Sequence, residues 1–174
     1  MKNILLISLI FIIPGSLQAQ SPAIQDFHDR YKENGKYVSV RIEGGLLKFL
    51  TNVDTNDENA KDLMKAISGL ESITFHSIDR DEPDFDDNYL KKFKKSIQKD
   101  KYEELMIVRD GDTLVDFLIK EKNGKISDLL LMVNNIDEFF LLNFSGEIDL
   151  ATLSKLSDEL DIKGAKHLRK IEDD

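Results

Sequence analysis

Apolar residues recur at helical spacing in several parts of the chain, and residues 55–68 give the clearest example. One apolar stripe there follows the i, i+3, i+4, i+7 pattern and consists of Ala60, Leu63, Met64 and Ile67. Thr55 and Glu58 match a capping box at the start, and Gly69 supplies a stop at the end. Similar patterns predict further helices over residues 22–33, 46–50, 84–99 and 149–160.

The last of these predicted helices has Asp149 as its N-cap, and Gly164 ends the region. Its apolar stripe consists of Leu150, Leu153, Leu156 and Leu160. The helix over residues 84–99 repeats an apolar residue every four positions, at Phe85, Tyr89, Phe93 and Ile97. Each stripe predicts the side on which the helix packs against the rest of the domain.

The sequence predicts six strands, over residues 37–42, 70–78, 103–109, 113–121, 125–133 and 138–144, and the first of them alternates apolar and polar residues. In the first strand, the inward-facing side is expected to carry Val38, Val40 and Ile42. In the second strand, Ile73 and Phe75 are expected to face inward.

The last four strands are separated by short links, two of which contain Asp110-Gly111 and Asn123-Gly124. These dipeptides tolerate the positive φ angles of tight hairpins, so consecutive strands must run antiparallel. The predicted fold is α+β, with a mostly antiparallel sheet, a four-stranded C-terminal meander and helices packed on one face.

The first 19 residues are typical of a secretory signal peptide. Lys2 precedes an apolar run over residues 4–13, and Ala19 is a small residue suited to the position before the cut. The apolar run has about ten residues, whereas a membrane-spanning helix needs roughly 20. We therefore expect cleavage near Ala19 and a single domain over residues 20–174, which ends in a short polar tail and is released to the periplasm or secreted.

Composition narrows the partners that this domain is expected to have. The chain has 33 acidic and 24 basic residues and a formal net charge of −9, which disfavours binding to nucleic acid or to an anionic membrane surface. It has no cysteine, so disulfides, thiolate metal sites and a lipidated N-terminal cysteine are excluded. No stable membrane anchor is expected after cleavage of the signal.

An acidic loop over residues 79–87 is the first candidate metal site. Its carboxylates are Asp79, Asp81, Glu82, Asp84, Asp86 and Asp87. An EF-hand loop needs glycine at its sixth position and glutamate at its twelfth, but counting from Asp79 these positions hold Asp84 and Leu90. The favoured interpretation is that the carboxylates lie at the N-terminus of the following helix, where the helix dipole stabilises negative charge.

A lysine cluster over residues 91–101 is the second candidate site, for anions. It consists of Lys91, Lys92, Lys94, Lys95, Lys99 and Lys101. These lysines lie between the apolar positions of a predicted helix and near its C-terminus, where cations are favoured. A solvated helix face is therefore favoured over an anion-binding site.

The histidines give no catalytic spacing. His28, His76 and His167 are far apart, and His76 is expected on the strand face opposite Ile73 and Phe75, exposed to solvent or buried. The chain contains no HExxH motif and no GxSxG nucleophile motif. No catalytic, cofactor-binding or metal-binding residue is predicted, and the chain is more in keeping with a protein that is not an enzyme.

Several stretches together resemble a known family. They are VSVRIEGGLLKFL, YEELMIVRDGDTLVDFLIKEKNGKISDLLLMV and FFLLNFSGEIDLATLSKLSDELDIKGAKHL, with GEIDL leading into SKL as the most specific part. They resemble the exported Bacteroidetes family called domain of unknown function 4252. The resemblance implies a small envelope protein with no assigned activity. Members of such families often accompany extracytoplasmic-function sigma factor systems, which implies a role in envelope sensing. Physically, Ser145-Gly146 is expected to form a turn before the last helix.

Three functions follow as hypotheses. The first is a non-enzymatic binding or interaction module of the periplasm, linked to envelope signalling. The second is a carrier of a hydrophobic ligand, lined by Phe117, Ile119, Leu130, Met132, Phe139, Leu141 and Phe144. The third and least favoured is a hydrolase that uses the acidic residues. The pattern leaves open the partner, the oligomeric state and the strand order.

Overall fold

The computed structural model describes residues 21–148 apart from 53 and 55, and it describes residues 58, 59, 62, 63 and 66 by their backbone alone. In chain order the elements are α1 (Pro22–Tyr31), β1 (Tyr37–Glu43), α2 (Gly44–Thr51), α3 (Glu58–Ile67), β2 (Leu70–Asp79), α4 (Asp87–Lys99), β3 (Glu103–Asp110), β4 (Thr113–Lys122), β5 (Lys125–Asn134) and β6 (Glu138–Ile148). The predicted signal peptide, the predicted helix over residues 149–160 and the polar tail lie outside the described residues.

All six strands belong to one antiparallel sheet, in the order β1-β2-β6-β5-β4-β3. The α+β class and the four-stranded meander from β3 to β6 are therefore confirmed. At the β4–β5 hairpin, Asn123 and Gly124 have φ angles of 57° and 76°, as a tight turn of this kind requires. The β2–β6 pairing connects the antiparallel β1–β2 pair to the meander.

The first face of the sheet packs against α1 and α4. Ile24 and Phe27 of α1 and Phe93 and Ile97 of α4 are buried in one cluster with side chains from the sheet. The sheet residues of this cluster include Ile78, Leu118, Leu130, Met132, Phe139 and Leu141. The helix stripes predicted from the sequence therefore face the sheet as expected.

Asp100 joins the end of α4 to the start of α1. Its Oδ2 accepts hydrogen bonds from Ser21 Oγ at 2.5 Å and from the backbone N–H of Ala23 at 2.9 Å. Ser21 is also the N-cap of α1. A carboxylate at a helix N-terminus satisfies backbone donors that lack partners within the helix, so this contact fixes α1 against α4.

Helices contribute to the second face as well, so the prediction that they pack on one face is wrong. Leu47 of α2 is buried in a second apolar cluster on this side of the sheet, and Ile67 of α3 packs against it. The physical reason is that the strands carry apolar residues on both faces, and each apolar face is stable when it packs against another layer and is removed from water.

The expected inward position of Val38 and Val40 is also wrong, because these residues are 50% and 47% exposed. They do share a face with Ile42, as the alternation predicted, but β1 is an edge strand. Helix α2 begins directly after Glu43, beside the Ile42 end of the strand, and leaves the two valines uncovered by described residues.

The start of α3 differs in part from the sequence prediction. The helix begins at Glu58, and the carboxylate of Asp57 accepts a hydrogen bond from the backbone N–H of Ala60 at 3.4 Å. Asp57 therefore acts as an N-cap. The predicted capping box of residues 55 and 58 lies outside what the structure describes.

Strand β6 continues through residues that the sequence suggested as a turn. Ser145 and Gly146 lie within β6, where Gly146 pairs with Leu70 and has a φ angle of 139°. The backbone N–H of Glu147 donates to the carbonyl of Gly69 at 2.9 Å. The prediction of a turn was wrong because this glycine permits a close backbone approach between β6 and the start of β2.

A side chain at position 146 should destabilise the fold. A Cβ there would collide with backbone atoms of Gly69, Leu70 and Glu71, and the positive φ adds strain. Gly146→Ala should therefore lower the free energy of unfolding in urea by about 3 kcal/mol. Gly45→Ala is the matched control, since a Cβ at Gly45 meets nothing within 4 Å, and it should leave stability unchanged or raise it by about 0.5 kcal/mol. Equal stabilities of the two variants would contradict this account.

Candidate functional site

A polar groove lies on the first face, beyond the area covered by α1 and α4. The side chains on this face change from apolar to polar along each central strand. In β2 the order is Ile78, His76, Thr74 and Ser72, and in β6 it is Phe139, Leu141, Asn143 and Ser145. Strand register brings the polar ends together, because Thr74 pairs with Asn143 and Ser72 with Ser145.

The groove has a volume of about 1150 Å³. Its floor includes Thr74 and Asn143, each 3% exposed, and one wall is formed by the start of α1 and the end of α4. Tyr102, which follows α4, lines the groove and is also 3% exposed. Buried polar groups are stable when they are hydrogen-bonded, so the partners of these side chains decide what the floor can offer.

A directional chain of hydrogen bonds crosses the floor. The Tyr102 hydroxyl donates to Asn143 Oδ1 at 3.3 Å, and Asn143 Nδ2 donates to Ser145 Oγ at 3.1 Å. Ser145 Oγ in turn donates to Asp128 Oδ1 at 2.8 Å. Ser127 Oγ donates to the other oxygen, Asp128 Oδ2, also at 2.8 Å. The carboxylate therefore terminates the chain and fixes the orientation of the side chains before any ligand binds.

The Tyr102 hydroxyl is held in its protonated form. Burial raises the pKa of Tyr102 above its ordinary value of 10.0, and the negative charges of Asp128 and Asp100 add to the increase. Lys120 Nζ lies 5.6 Å from the centre of the Tyr102 ring. At neutral pH, Tyr102 is thus a hydrogen-bond donor and not a base.

The rim of the groove carries charges of both signs. Its basic residues are Arg41, Lys101, Lys120, Lys122 and Lys125. Its acidic residues are Glu43, Glu71, Glu121, Asp128 and Glu147. Lys125 Nζ forms an ion pair with Glu147 Oε1 at 2.6 Å, and Arg41 pairs with Glu43. The equal numbers of the two signs favour ligands that carry both charges over purely anionic ones.

A second polar cluster lies under α1 and joins two histidines through a tyrosine. The Tyr37 hydroxyl is 2.9 Å from His28 Nδ1 and 2.5 Å from His76 Nδ1. One hydroxyl can donate to one imidazole while it accepts from the N–H of the other. His76 is 3% exposed, which settles the choice between solvent and burial in favour of burial.

Protonation of His76 is unfavourable in the folded protein. Burial lowers the pKa of His76 from 6.5 to about 4, and the nearby His28 and Arg41 contribute to the decrease. Burial also raises the pKa of Tyr37 to about 12. Tyr37 and His76 are therefore both neutral hydrogen-bonding groups at neutral pH.

Acid should destabilise the protein through His76. In the unfolded chain His76 titrates near 6.5, and in the folded protein it titrates near 4, so the unfolded state binds the proton first as the pH falls. The contribution of neutral His76 to the free energy of unfolding is complete above about pH 6.5 and should be lost between pH 6.5 and 4. Its size is on the order of 3 kcal/mol. Urea unfolding at a series of pH values measures it.

The variant His76→Gln should lack this part of the pH dependence, whereas His28→Gln should keep most of it. Acidic residues contribute equally to the pH dependence of stability in all three proteins. The difference in slope between His76→Gln and the unchanged protein therefore gives the contribution of His76. A slope that is unchanged in His76→Gln would rule out this explanation.

Three carboxylates of the acidic loop lie around a lysine from another part of the chain. Lys36 Nζ lies 2.9 Å from Asp81 Oδ1, 3.5 Å from Asp79 Oδ2 and 3.6 Å from Glu82 Oε1. The hydrogen bond from Lys36 to Asp81 raises the pKa of this lysine. These carboxylates therefore surround a cation that the chain itself supplies.

The remaining part of the acidic loop stabilises α4, as the sequence indicated. Asp86 is the N-cap and accepts from the backbone N–H of Asn88 at 2.8 Å, while Asp87 lies in the first turn. Arg80 Nη2 forms an ion pair with Asp87 Oδ1 at 2.9 Å. Within the described residues, no group of three or more histidine, aspartate or glutamate side chains is placed to hold a metal ion.

The structure divides the lysine cluster among different environments. Lys94 forms an ion pair at 2.7 Å with Asp116 Oδ2, whose side chain is 5% exposed beneath α4. Lys101 lines the groove. The exposed members are Lys91, Lys92, Lys95, Lys99 and Lys101. Lys94 thus neutralises a buried carboxylate, while the other five lysines of the cluster are exposed.

Sequence reasoning missed both the groove and the Tyr37 cluster. The polar ends of β2, β5 and β6 are visible in the sequence, but only the register shows that they adjoin. His28, Tyr37 and His76 belong to three different elements, so no spacing could have identified them. His167 lies outside the described residues.

Comparison with known proteins gives one family. The model of the family described as Domain of unknown function (DUF4252) matches residues 31–156. No curated protein and no solved structure matches the chain. Among the helices that the structure describes, none has the length and apolar character needed to cross a membrane.

Proposed function

Because the chain belongs to the Domain of unknown function (DUF4252) family, whose description assigns no activity, we propose a function from the groove itself. The protein is a non-enzymatic binding module of the cell envelope, and the groove holds an extended polar segment of a partner protein. The hydrogen-bonded floor, in which Tyr102 and Asn143 are buried and Ser145 is half-buried, is the observation that carries this proposal. A link to envelope signalling would follow from the identity of that partner.

The size and charge of the groove favour a peptide as its occupant. Its volume of about 1150 Å³ exceeds the roughly 300–1,000 Å³ of typical small-molecule pockets. Charges of both signs on the rim can pair with acidic and basic side chains of a peptide. A groove that is organised before binding reduces the entropy cost of ordering the complex.

The hydrophobic-carrier hypothesis has less support, because its lining residues lie on two faces of the sheet. Leu130, Met132, Phe139 and Leu141 belong to the cluster on the first face. Phe117, Ile119 and Phe144 belong to the cluster on the second face. These seven side chains therefore do not line a common cavity.

The hydrolase hypothesis also has less support. It requires two carboxylates that face each other across a cleft with shifted pKa values. In the acidic loop, Asp79, Asp81 and Glu82 surround Lys36, and Asp87 pairs with Arg80. In the groove, Asp128 accepts hydrogen bonds from two serines.

Selection of short peptides against the purified protein tests the binding proposal. A random library of 12-residue peptides is the probe, and the affinity of selected peptides is measured by calorimetry. The double variant Lys122→Glu/Lys125→Glu changes two rim charges and should weaken binding at least tenfold, in keeping with the loss of charge pairs at an interface. Asn143→Leu removes the centre of the floor network and should have a similar effect.

The matched control is Lys92→Glu/Lys95→Glu, which makes the same charge change on the exposed side of α4, away from the groove. It should bind the peptides as the unchanged protein does. Urea unfolding of each variant confirms that the fold is retained. Failure to select any peptide, or equal binding by all variants, would contradict the proposal.

Export is the second part of the proposal, and it rests on the pattern of residues 1–19. Expression of the full chain with its own N-terminus should yield mature protein outside the cytoplasm that begins at Gln20. N-terminal sequencing and cell fractionation measure this. Replacement of Leu5 and Leu6 by arginine should abolish export, because it interrupts the apolar run. Unprocessed cytoplasmic protein from the unchanged gene would refute export.

A further inference from the structure

One row of paired residues crosses the groove from a carboxylate to a lysine. The strand register pairs Glu43 of β1 with Ser72 of β2, and Ser72 with Ser145 of β6. Ser145 pairs in turn with Asp128 of β5, and Asp128 pairs with Lys120 of β4. All five residues line the groove, and residues that pair across neighbouring strands lie side by side on one face of a sheet. The row therefore crosses five strands and has opposite charges at its two ends.

The groove carries an excess of positive charge where the row ends on β4, which we call the hairpin end. Lys101, Lys120 and Lys122 line this end together with Glu121. Lys101 belongs there because β3 begins two residues after it and pairs with β4. Within the part of the chain that the structure describes, none of these three lysines forms an ion pair with a carboxylate. The hairpin end is therefore suited to acidic groups of an occupant.

The opposite end of the groove, which we call the β1–β2 end, carries an excess of negative charge. Glu43 and Glu71 line it, and Arg41 is the basic residue that lies among them. Arg41 forms an ion pair with Glu43, so one guanidinium faces two carboxylates. Between the two ends, Lys125 and Glu147 form an ion pair with each other. The two signs of charge are thus separated along the groove and not mixed over its rim.

The length of the row sets the length of the segment that can contact both ends. Neighbouring strands lie about 4.8 Å apart, so the four steps from β1 to β4 span about 19 Å. An extended chain advances about 3.3 Å per residue, so about six residues cover this distance. A ligand that is much smaller would contact the charges of one end alone.

We propose that the groove selects a segment of about six residues whose charges are separated in the same way. The acidic side chains of the segment lie over the lysines of the hairpin end, and its basic side chains lie at the β1–β2 end. This inference rests on the proposed function, because it specifies the peptide that the groove binds. Opposed charges at the two ends fix the direction in which the segment lies, since the reverse placement would bring like charges together.

Two synthetic hexapeptides of identical composition test the charge order. The first has two glutamates, two serines and two lysines in that order, and the second alternates glutamate and lysine around the same two serines. Both are acetylated and amidated, so that their termini carry no charge. The first peptide should bind the purified protein at least tenfold more tightly than the second, measured by calorimetry at low ionic strength, where charge pairing is strongest.

Photo-crosslinking on the unchanged protein locates each end of the bound peptide. A benzophenone group next to the glutamates should label residues 120–125, and one next to the lysines should label residues 41–43 or 70–72, read by mass spectrometry. A peptide of reversed sequence should give labels that follow its charges and not its N-terminus. Labels in the opposite places, or without preference for either end, would overturn the proposal.

Removal of charge at the hairpin end gives a second measurement. Lys120→Gln/Lys122→Gln should weaken binding of the first peptide at least fivefold and leave binding of the alternating peptide nearly unchanged. The matched control is Lys92→Gln/Lys95→Gln, which removes two charges from the exposed side of α4 and should not alter either affinity. Urea unfolding checks that both variants remain folded.

The outcomes separate this inference from the proposed function. If the two hexapeptides bind equally, or if peptides selected from the random library bind in the groove without separated charges, the charge order is wrong and the binding function stands. If neither the hexapeptides nor any library peptide binds, both proposals are overturned. Tighter binding of the first peptide together with labels at the expected ends supports both.

Discussion

The pairing of β2 with β6 is the constraint on which the rest of the structure depends. It joins the N-terminal half of the chain to the meander, and its register sets Ile78 opposite Phe139, His76 opposite Leu141 and Thr74 opposite Asn143. A slip of one residue would move each of these side chains to the other face. The apolar cluster beneath α1 and the polar floor of the groove therefore have a common origin in this register.

Local patterns predicted the strands and hairpins well because the information lies within each segment. The alternation in residues 37–42 and the Asn123-Gly124 turn are examples. Burial at the sheet edge was not predictable in this way, since Val38 and Val40 alternate like core residues but lie on a part of the edge strand β1 that no described helix covers. The prediction of a turn at Gly146 was wrong for a related reason, because glycine occurs both in turns and where two backbone segments approach closely.

The candidate site was harder to predict than the fold because its contacts join distant parts of the chain. Asp100 binds the start of α1, and Lys36 binds the acidic loop. These pairs are separated by tens of residues and have no helical or strand spacing. The helix-cap role of Asp86 follows from local sequence, whereas the contacts of Lys36 with the acidic loop and of Lys94 with Asp116 do not. The register-dependent groove is instead the surface where polar side chains converge.

The division of the groove into a floor and a rim has an evolutionary consequence. The floor residues lie on central strands, where a change of Asn143 alters both the hydrogen-bond chain and the sheet beneath it. Lys122 and Lys125 flank the β4–β5 turn, and their exposed side chains can vary while Asn123 and Gly124 keep the turn and the strand register. Divergence in recognition is therefore expected to concentrate in the hairpin, while the floor is conserved for stability. Related proteins could then acquire different partners without losing their common fold.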